Sequence, residues 1–145
     1  MEHKIAIIDP VGIKSGMNHY DTFLCTSLYK LGINTYIYSN FNVKSKTVVS
    51  HSLFGIFFKN KLYQTINFIR GLFKSCIDCK RNKINTVIIH VFSTHTMAIM
   101  TYAIVKLYGL KTITISHDVF SFTDQDKKWY HHLIYNRWSD RIVVH

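Results

Sequence analysis

Acidic residues are scarce. Asp and Glu number 8 against 18 Lys and Arg, a formal net charge of +10 over 145 residues with His neutral. Such a surplus favours anionic partners: nucleotide phosphates, nucleic acid or an acidic membrane surface. Long hydrophobic runs are also missing. The longest, "MAIMTYAIV", is about half of the roughly 20 apolar residues that a membrane-spanning helix needs. The opening "MEHKIAIIDP" has charges within a short apolar run and does not read as a signal peptide. There are only three cysteines, as fits a reducing compartment, so a cytoplasmic location is expected, with peripheral attachment at the inner face of the membrane as its variant. Two of them form "CIDC", Cys76 and Cys79. A structural zinc site takes four ligands, and no second CxxC or close HxxxH completes this pair. The expectation is two helix residues one turn apart, with no metal, and Cys25 as a small core residue.

What is present is enough for a core: 48% of residues are hydrophobic. No repeat, low-complexity segment or internal linker interrupts the chain, and its length suits one domain. "KIAIID" at 4–9 reads as a buried strand, and "PVGIKSG" breaks it. From Asn18, helical spacing places Tyr20, Phe23, Leu24, Leu28 and Leu31 on one face, with Gly32 as C-cap. "NTYIYS" at 34–39 is a second strand, and a short strand is expected at 47–49. A long basic and aromatic segment follows. Leu62, Ile66, Ile69, Phe73 and Ile77 mark one helical face, and Lys59, Arg70 and Lys74 another. Strands at 85–92 and 111–116 flank a helix at 94–109. A helix at 124–139 and a strand from Asp140 complete the pattern. Alternating strands and helices predict an α/β fold: a Rossmann-like doubly wound, mostly parallel sheet with helices on both faces.

Such sheets bind ligands beyond the carboxyl ends of their strands. Gly16 sits in the first of those loops, before a helix start that could hold a diphosphate through unpaired N–H groups. "GIKSGMN" is neither GxGxxG nor a P-loop, and an ordinary βα turn needing glycine reads equally well. His90, His95 and His117 could all lie near the same edge, with Asp118. Together they read as zinc ligands or as an acid–base set, and their spacing is diagnostic of neither; His90 inside its strand also reads as simply buried. His117 stands apart because it is the first residue past its strand, where a neutral imidazole can hydrogen-bond a hydroxyl or polarise a reacting group.

The ordered pieces "SGMNHYDTFLCTSLYKLGINTYIYS", "VIIHVFS", "YGLKTITISHDVFSF" and "WSDRIVVH" resemble the N-terminal domain of family 4 retaining glycosyltransferases of the GT-B fold. The matching elements are Ser15-Gly16-Met17 for a "GGM"-like loop, 28–32 for a helix end of the "LxKxG" type, 111–118 for a "TxHD" strand end, and 139–145 for a later strand. Ser15 in place of the first glycine is a departure from the family's loop. The resemblance implies transfer of a sugar from a nucleotide-sugar donor to a glycan or lipid-linked acceptor, with retention and without a metal or other cofactor. It implies that Gly16 and Met17 approach the donor diphosphate. It also implies that His117 projects into the cleft near the transferred sugar, accompanied by Asp118. The family's C-terminal domain, which carries most nucleotide contacts, has no counterpart in these residues, so the polypeptide is expected to continue and this part to be inactive alone. On the same reading, Lys59, Lys61, Arg70 and Lys74 lie on a surface for an anionic membrane or a lipid-linked acceptor. No nucleic-acid-binding pattern accompanies the charge. The alternative reading is a non-catalytic basic α/β module that docks on anionic membranes or partners.

Overall fold

The computed structural model describes residues 3–55, 60–91, 96–117 and 132–144. Six strands form one all-parallel sheet: β1 (His3–Asp9), β2 (Ile33–Ser39), β3 (Val48–Ser52), β4 (Thr86–Val91), β5 (Lys111–Ser116) and β6 (Arg141–Val144), in the order β3-β2-β1-β4-β5-β6. This is the doubly wound, Rossmann-like arrangement. The order reverses between β1 and β4, and the crevice at the carboxyl ends there is where such sheets take ligands.

Strand side chains alternate between faces, so each strand serves two cores. Ala6, Ile8, Val87, Ile89 and Val91 pack with Leu72, Cys76, Cys79, Tyr102 and Val105, under helices α3 (Lys61–Arg81) and α4 (Thr96–Leu107). Ile7, Ile37, Ile88 and Ile115 pack on the other face with Cys25, under α2 (Asn18–Lys30). A single turn, α1 (Gly12–Ser15), links β1 to α2 and ends at Gly16, whose φ of 72° is left-handed and suits glycine. Gly32, at φ 79°, follows the end of α2 in the same way. Asn60 caps α3 by accepting from the Leu62 N–H at 2.9 Å.

Two helical faces differ from expectation. On α2 the buried residues are Asp21 and Cys25, while Phe23 and Leu31 are exposed. Tyr20, Leu24 and Leu28 pack against the core as expected, but the deepest residues on that side are an acid and a cysteine, and apolar counting passes over the acid. On α3 the inward face is Gly71, Leu72, Ser75, Cys76 and Cys79. Gly71 lets the helix press onto the loop after β3: a Cβ there would lie 2.6 Å from the Phe54 ring and 3.0 Å from the Leu53 carbonyl. The predicted apolar stripe is instead turned outward, with Leu62 69%, Ile66 53%, Phe73 37% and Ile77 38% exposed.

Cys76 and Cys79 are buried free thiols, as Cys25 is, and burial pushes all three up to about 12. The expected helix at 124–139 lies mostly outside the described residues; its last part, Leu133–Trp138, winds as a π-helix. No helix among the described residues is long and apolar enough to cross a membrane.

Candidate functional site at the carboxyl edge of the sheet

Strand parity builds the site. Ile5, Ile7 and Asp9 share one face of β1; Ile88 and His90 share the same face of β4; Ile113 and Ile115 lead on β5 to His117. All three lines run under α2, and each ends in a titratable residue. The His117 N–H donates to the Val91 carbonyl at 3.1 Å, which extends the β4–β5 ladder to the histidine itself. Helix α2 covers these strand ends with Tyr20 and Asp21 from its first turn.

The side chains connect in a line. His117 Nε2 lies 2.9 Å from His90 Nδ1, and the two rings stack with centroids 5.2 Å apart and planes 28° apart. His90 Nε2 lies 2.8 Å from Asp21 Oδ1, with the His90 side chain 1% and that of Asp21 0% exposed. Asp21 in turn shares a hydrogen bond with the carboxyl of Asp9, also buried. The Tyr20 ring stands edge-on to both imidazoles, 5.6 Å from His90 and 5.7 Å from His117. The Asp21–His90 contact is a close ion-pair approach in which neither atom makes a hydrogen bond. Asp9 Oδ2 and both Asp21 oxygens find no ordinary N–H or hydroxyl donor among the described residues. A proton on one of the two carboxyls is the donor that such a buried pair needs.

The electrostatics agree. Burial, reinforced by the charge of Asp21, raises Asp9 to about 7. Burial raises Asp21 to about 6, while its hydrogen bond from Asp9 pulls the other way and keeps Asp21 the more readily ionised member. Burial lowers His90, against the pull of Asp9, and so favours its neutral imidazole. The proton therefore belongs to the carboxyl pair.

The loop between β1 and α2 is tied to this cluster. The Val11 N–H donates to Asp9 Oδ1 at 3.1 Å, and the Ile13 N–H to Asn40 Oδ1 at 3.1 Å. Gly12 permits the close approach, because a Cβ would meet the Phe41 ring at 2.3 Å and Asp9 Oδ2 at 3.0 Å. Gly16 is exposed at the loop's outer end and Met17 is buried. Their N–H groups donate to Ile13 and Gly12 carbonyls, closing α1. In this conformation neither is directed at an anion, and a diphosphate here would use other groups or a rearranged loop.

Of the predicted site residues, His117 and His90 are brought together. Asp118, His95 and Lys59 lie outside the described residues. Lys61, Arg70 and Lys74 are exposed on α3, on the opposite face of the sheet from α2. Sequence reasoning passed over Asp9, Tyr20 and Asp21. The signal for Asp9 was the one used for His117: a polar residue ending an apolar strand. Among the described residues, no three His, Cys, Asp or Glu side chains surround a common point as metal ligands would; the cluster is a chain. No protein-family model matches the sequence, and no curated protein matches it.

Proposed function

We propose that this chain is the acceptor-side domain of a retaining glycosyltransferase that moves a sugar from a nucleotide-sugar donor to a glycan or lipid-linked acceptor. One observation carries the reading: a histidine at the carboxyl end of β5, beside the strand-order reversal, backed by buried charge. That position is where doubly wound sheets meet small ligands. A buried carboxyl pair adds little to stability at such a place and suits a group that must hold a polar ligand in a fixed orientation. His117 is the residue that would contact the transferred sugar. The donor nucleotide would be held chiefly by a second domain, and transfer would occur as the two close.

The test uses the full-length polypeptide, with any residues beyond His145, and offers it nucleotide-sugars with lipid-linked or glycan acceptors. His117→Ala should lower transfer by about 100-fold or more while leaving thermal unfolding in place. Transfer at the wild-type rate in that variant would sink the assignment of His117. Absence of sugar transfer or donor hydrolysis by the wild type across the common donors would sink the enzyme reading.

A second reading, docking on an anionic membrane surface, has its own observation. The outward stripe of Leu62, Ile66, Phe73 and Ile77 runs along α3 beside Arg70 and Lys74. An apolar stripe with a basic row suits a helix lying in a lipid headgroup layer. Each basic side chain near anionic lipid contributes about 1 kcal/mol. Charge reversal of Arg70 and Lys74 should weaken sedimentation with phosphatidylserine-containing vesicles at low salt by at least about tenfold. Binding that ignores both the reversal and salt would defeat it. Such docking is compatible with sugar transfer to a lipid-linked acceptor, and as the sole role of the chain it would leave the buried chain behind His117 unexplained.

A further inference from the structure

In a parallel sheet every strand opens at one edge, and every connecting helix ends there. That amino edge lies opposite His117, and it collects cations. Lys30 closes α2, Lys80 and Arg81 close α3, Lys83 leads into β4, Lys111 opens β5 and Arg141 opens β6. The helix dipole accounts for the three in last turns; it does not account for Lys83, Lys111 or Arg141. All six are exposed, and none makes an ion pair with a described residue. The described acids closest to them in sequence are already engaged: Asp140 with Lys106 at 2.6 Å, and Asp78 with the Tyr38 hydroxyl at 2.6 Å. Two apolar side chains stand in the same edge. Leu31 and Leu107 are 77% and 76% exposed, more than any other large hydrophobic residue described. One ends α2 and the other ends α4, on opposite faces of the sheet, and neither enters a core cluster.

We propose that the amino edge of the sheet is a docking face for an anionic lipid bilayer. The cations meet lipid headgroups, and Leu31 and Leu107 enter the apolar layer beneath them. Charge alone suits any polyanion. The leucines select lipid, since an apolar side chain gains nothing against nucleic-acid phosphates. Six strands about 4.8 Å apart make the edge about 24 Å wide, so the cations act over a surface and not at a point. The outward stripe of α3 lies on a broad face, at a steep angle to this edge, and one bilayer does not seat both. Strand β1 has seven residues and is about 23 Å long, so His117 at the far edge stands about that far from the headgroups. It would meet the outer end of a glycan carried on a lipid, not the lipid headgroup itself. That choice of acceptor rests on the glycosyltransferase reading; the docking does not.

The test is sedimentation of the full-length polypeptide, with any residues beyond His145, on phosphatidylcholine vesicles with and without about one-third phosphatidylserine. At low salt it should bind the anionic vesicles and not the neutral ones; no binding to the anionic vesicles overturns the proposal. Lys80→Gln, Lys83→Asn, Lys111→Gln and Arg141→Gln together should weaken binding at least about 100-fold, at about fivefold per cation. Leu31→Gln with Leu107→Gln should weaken it about tenfold and leave its salt dependence in place. Thermal unfolding checks that each variant folds. Should one fail to, an environment-sensitive dye on Leu107→Cys decides, the three native thiols being buried. Its emission should shift to the blue on anionic vesicles, and a dye on Phe23→Cys, 74% exposed on α2, should not. A Leu107 dye that does not shift, or binding unchanged in both combined variants, overturns the docking. So does binding that is lost on charge reversal of Arg70 and Lys74 alone, which moves the surface to α3. Binding to duplex DNA that exceeds binding to vesicles and ignores the leucines overturns the lipid assignment. No sugar donor or acceptor enters these measurements, so the docking can stand where sugar transfer fails, and fall where it succeeds.

Discussion

Strand β5 carries a buried polar array on each face, and the two arrays are built differently. On the side under α4, Thr112, Thr114 and Ser116 point into the sheet's packing layer. Thr114 Oγ1 pairs with Tyr102 Oη at 2.5 Å and with Ser139 Oγ at 2.6 Å. Thr112 donates to the Trp138 carbonyl at 2.5 Å, and Ser116 Oγ lies 3.2 Å from Tyr135 Oη. The buried partners are neutral hydroxyls and carbonyls, and the carboxylate of Asp140 accepts from Thr112 at the solvent end. On the side under α2, the array is Asp9, Asp21, His90 and His117, with carboxylate oxygens that lack ordinary donors. The first array pins the Leu133–Trp138 turn and β6 to the sheet. The second stabilises nothing that a hydrophobic layer would not hold better, since buried charges are expensive to desolvate. Neutral, closed networks serve the fold, and charged, incompletely satisfied ones mark where the fold has been spent on something else.

The largest expected effect comes from breaking the closed array. Thr114→Val keeps the volume and removes the hydroxyl, which leaves the buried Tyr102 Oη without that partner and Ser139 with one fewer. Each orphaned buried group costs about 1–3 kcal/mol. The loss in chemical denaturation should therefore be about 2–4 kcal/mol, and it should not depend on pH between about 5 and 8, since no group in the array titrates there. Adding Tyr102→Phe to Thr114→Val should cost less than the two single losses combined, because the orphan is removed along with its partner. Strict additivity would show that the array is not a network.

The opposite sign is expected in the charged array. Asp9→Asn replaces the shared proton by a permanent N–H donor to Asp21 and keeps an oxygen for the Val11 N–H. The wild-type Asp9 carboxyl is raised from 3.8 to about 7, so the native chain holds a proton that the unfolded chain gives up more readily. The stability linked to that proton is complete below about pH 4 and is lost as pH rises through about 7. His90 works against this: a lowered imidazole costs stability as pH falls below its unfolded value of 6.5. The Asp9→Asn minus wild-type difference removes most of that second effect. It should be near zero at about pH 4 and grow to a gain of about 1–3 kcal/mol at about pH 8. A variant less stable than wild type at high pH would show that the carboxyl pair is structural after all.

Why one array was legible in the sequence and the other was not comes down to the same contrast. Periods of two and 3.6 located the strands and helices, and Gly32 and Gly109 ended helices as read. The order β3-β2-β1-β4-β5-β6 is not written in any local period. His117 was visible because it follows an apolar run. Asp9 ended "KIAIID" in the same way, yet it was read only as the end of that strand. Tyr20 read as part of the apolar face of its helix and Asp21, an acid near a helix start, as surface; only the tertiary contact with His90 shows that Asp21 faces inward. On α3 the outward stripe was as apolar as a core face, so its phase could not be fixed from hydrophobicity. The inward face was set by Gly71, Ser75, Cys76 and Cys79, small residues that let the helix approach the sheet.

The smallest expected effect tests whether charge alone distinguishes the arrays. Lys106 Nζ lies 2.6 Å from Asp140 Oδ2, at the solvent end of the closed array, with the side chains 26% and 46% exposed. Asp140 also accepts from the Thr112 N–H at 2.7 Å, and its carboxyl is held below the usual range, first by Lys106 and then by that N–H. A lowered carboxyl contributes stability above its unfolded range and loses it as pH falls through its folded value, opposite in sign to Asp9. Solvent screens this pair, so Lys106→Met should cost no more than about 1 kcal/mol in low salt and less at high salt. Asp140 keeps its backbone donor in that variant, so β6 should stay paired to β5 by amide exchange. A loss as large as that from Thr114→Val would mean that the ion pair, and not the hydroxyl network, fastens β6 to the sheet, and the line between a neutral structural array and a charged functional one would have to be drawn elsewhere.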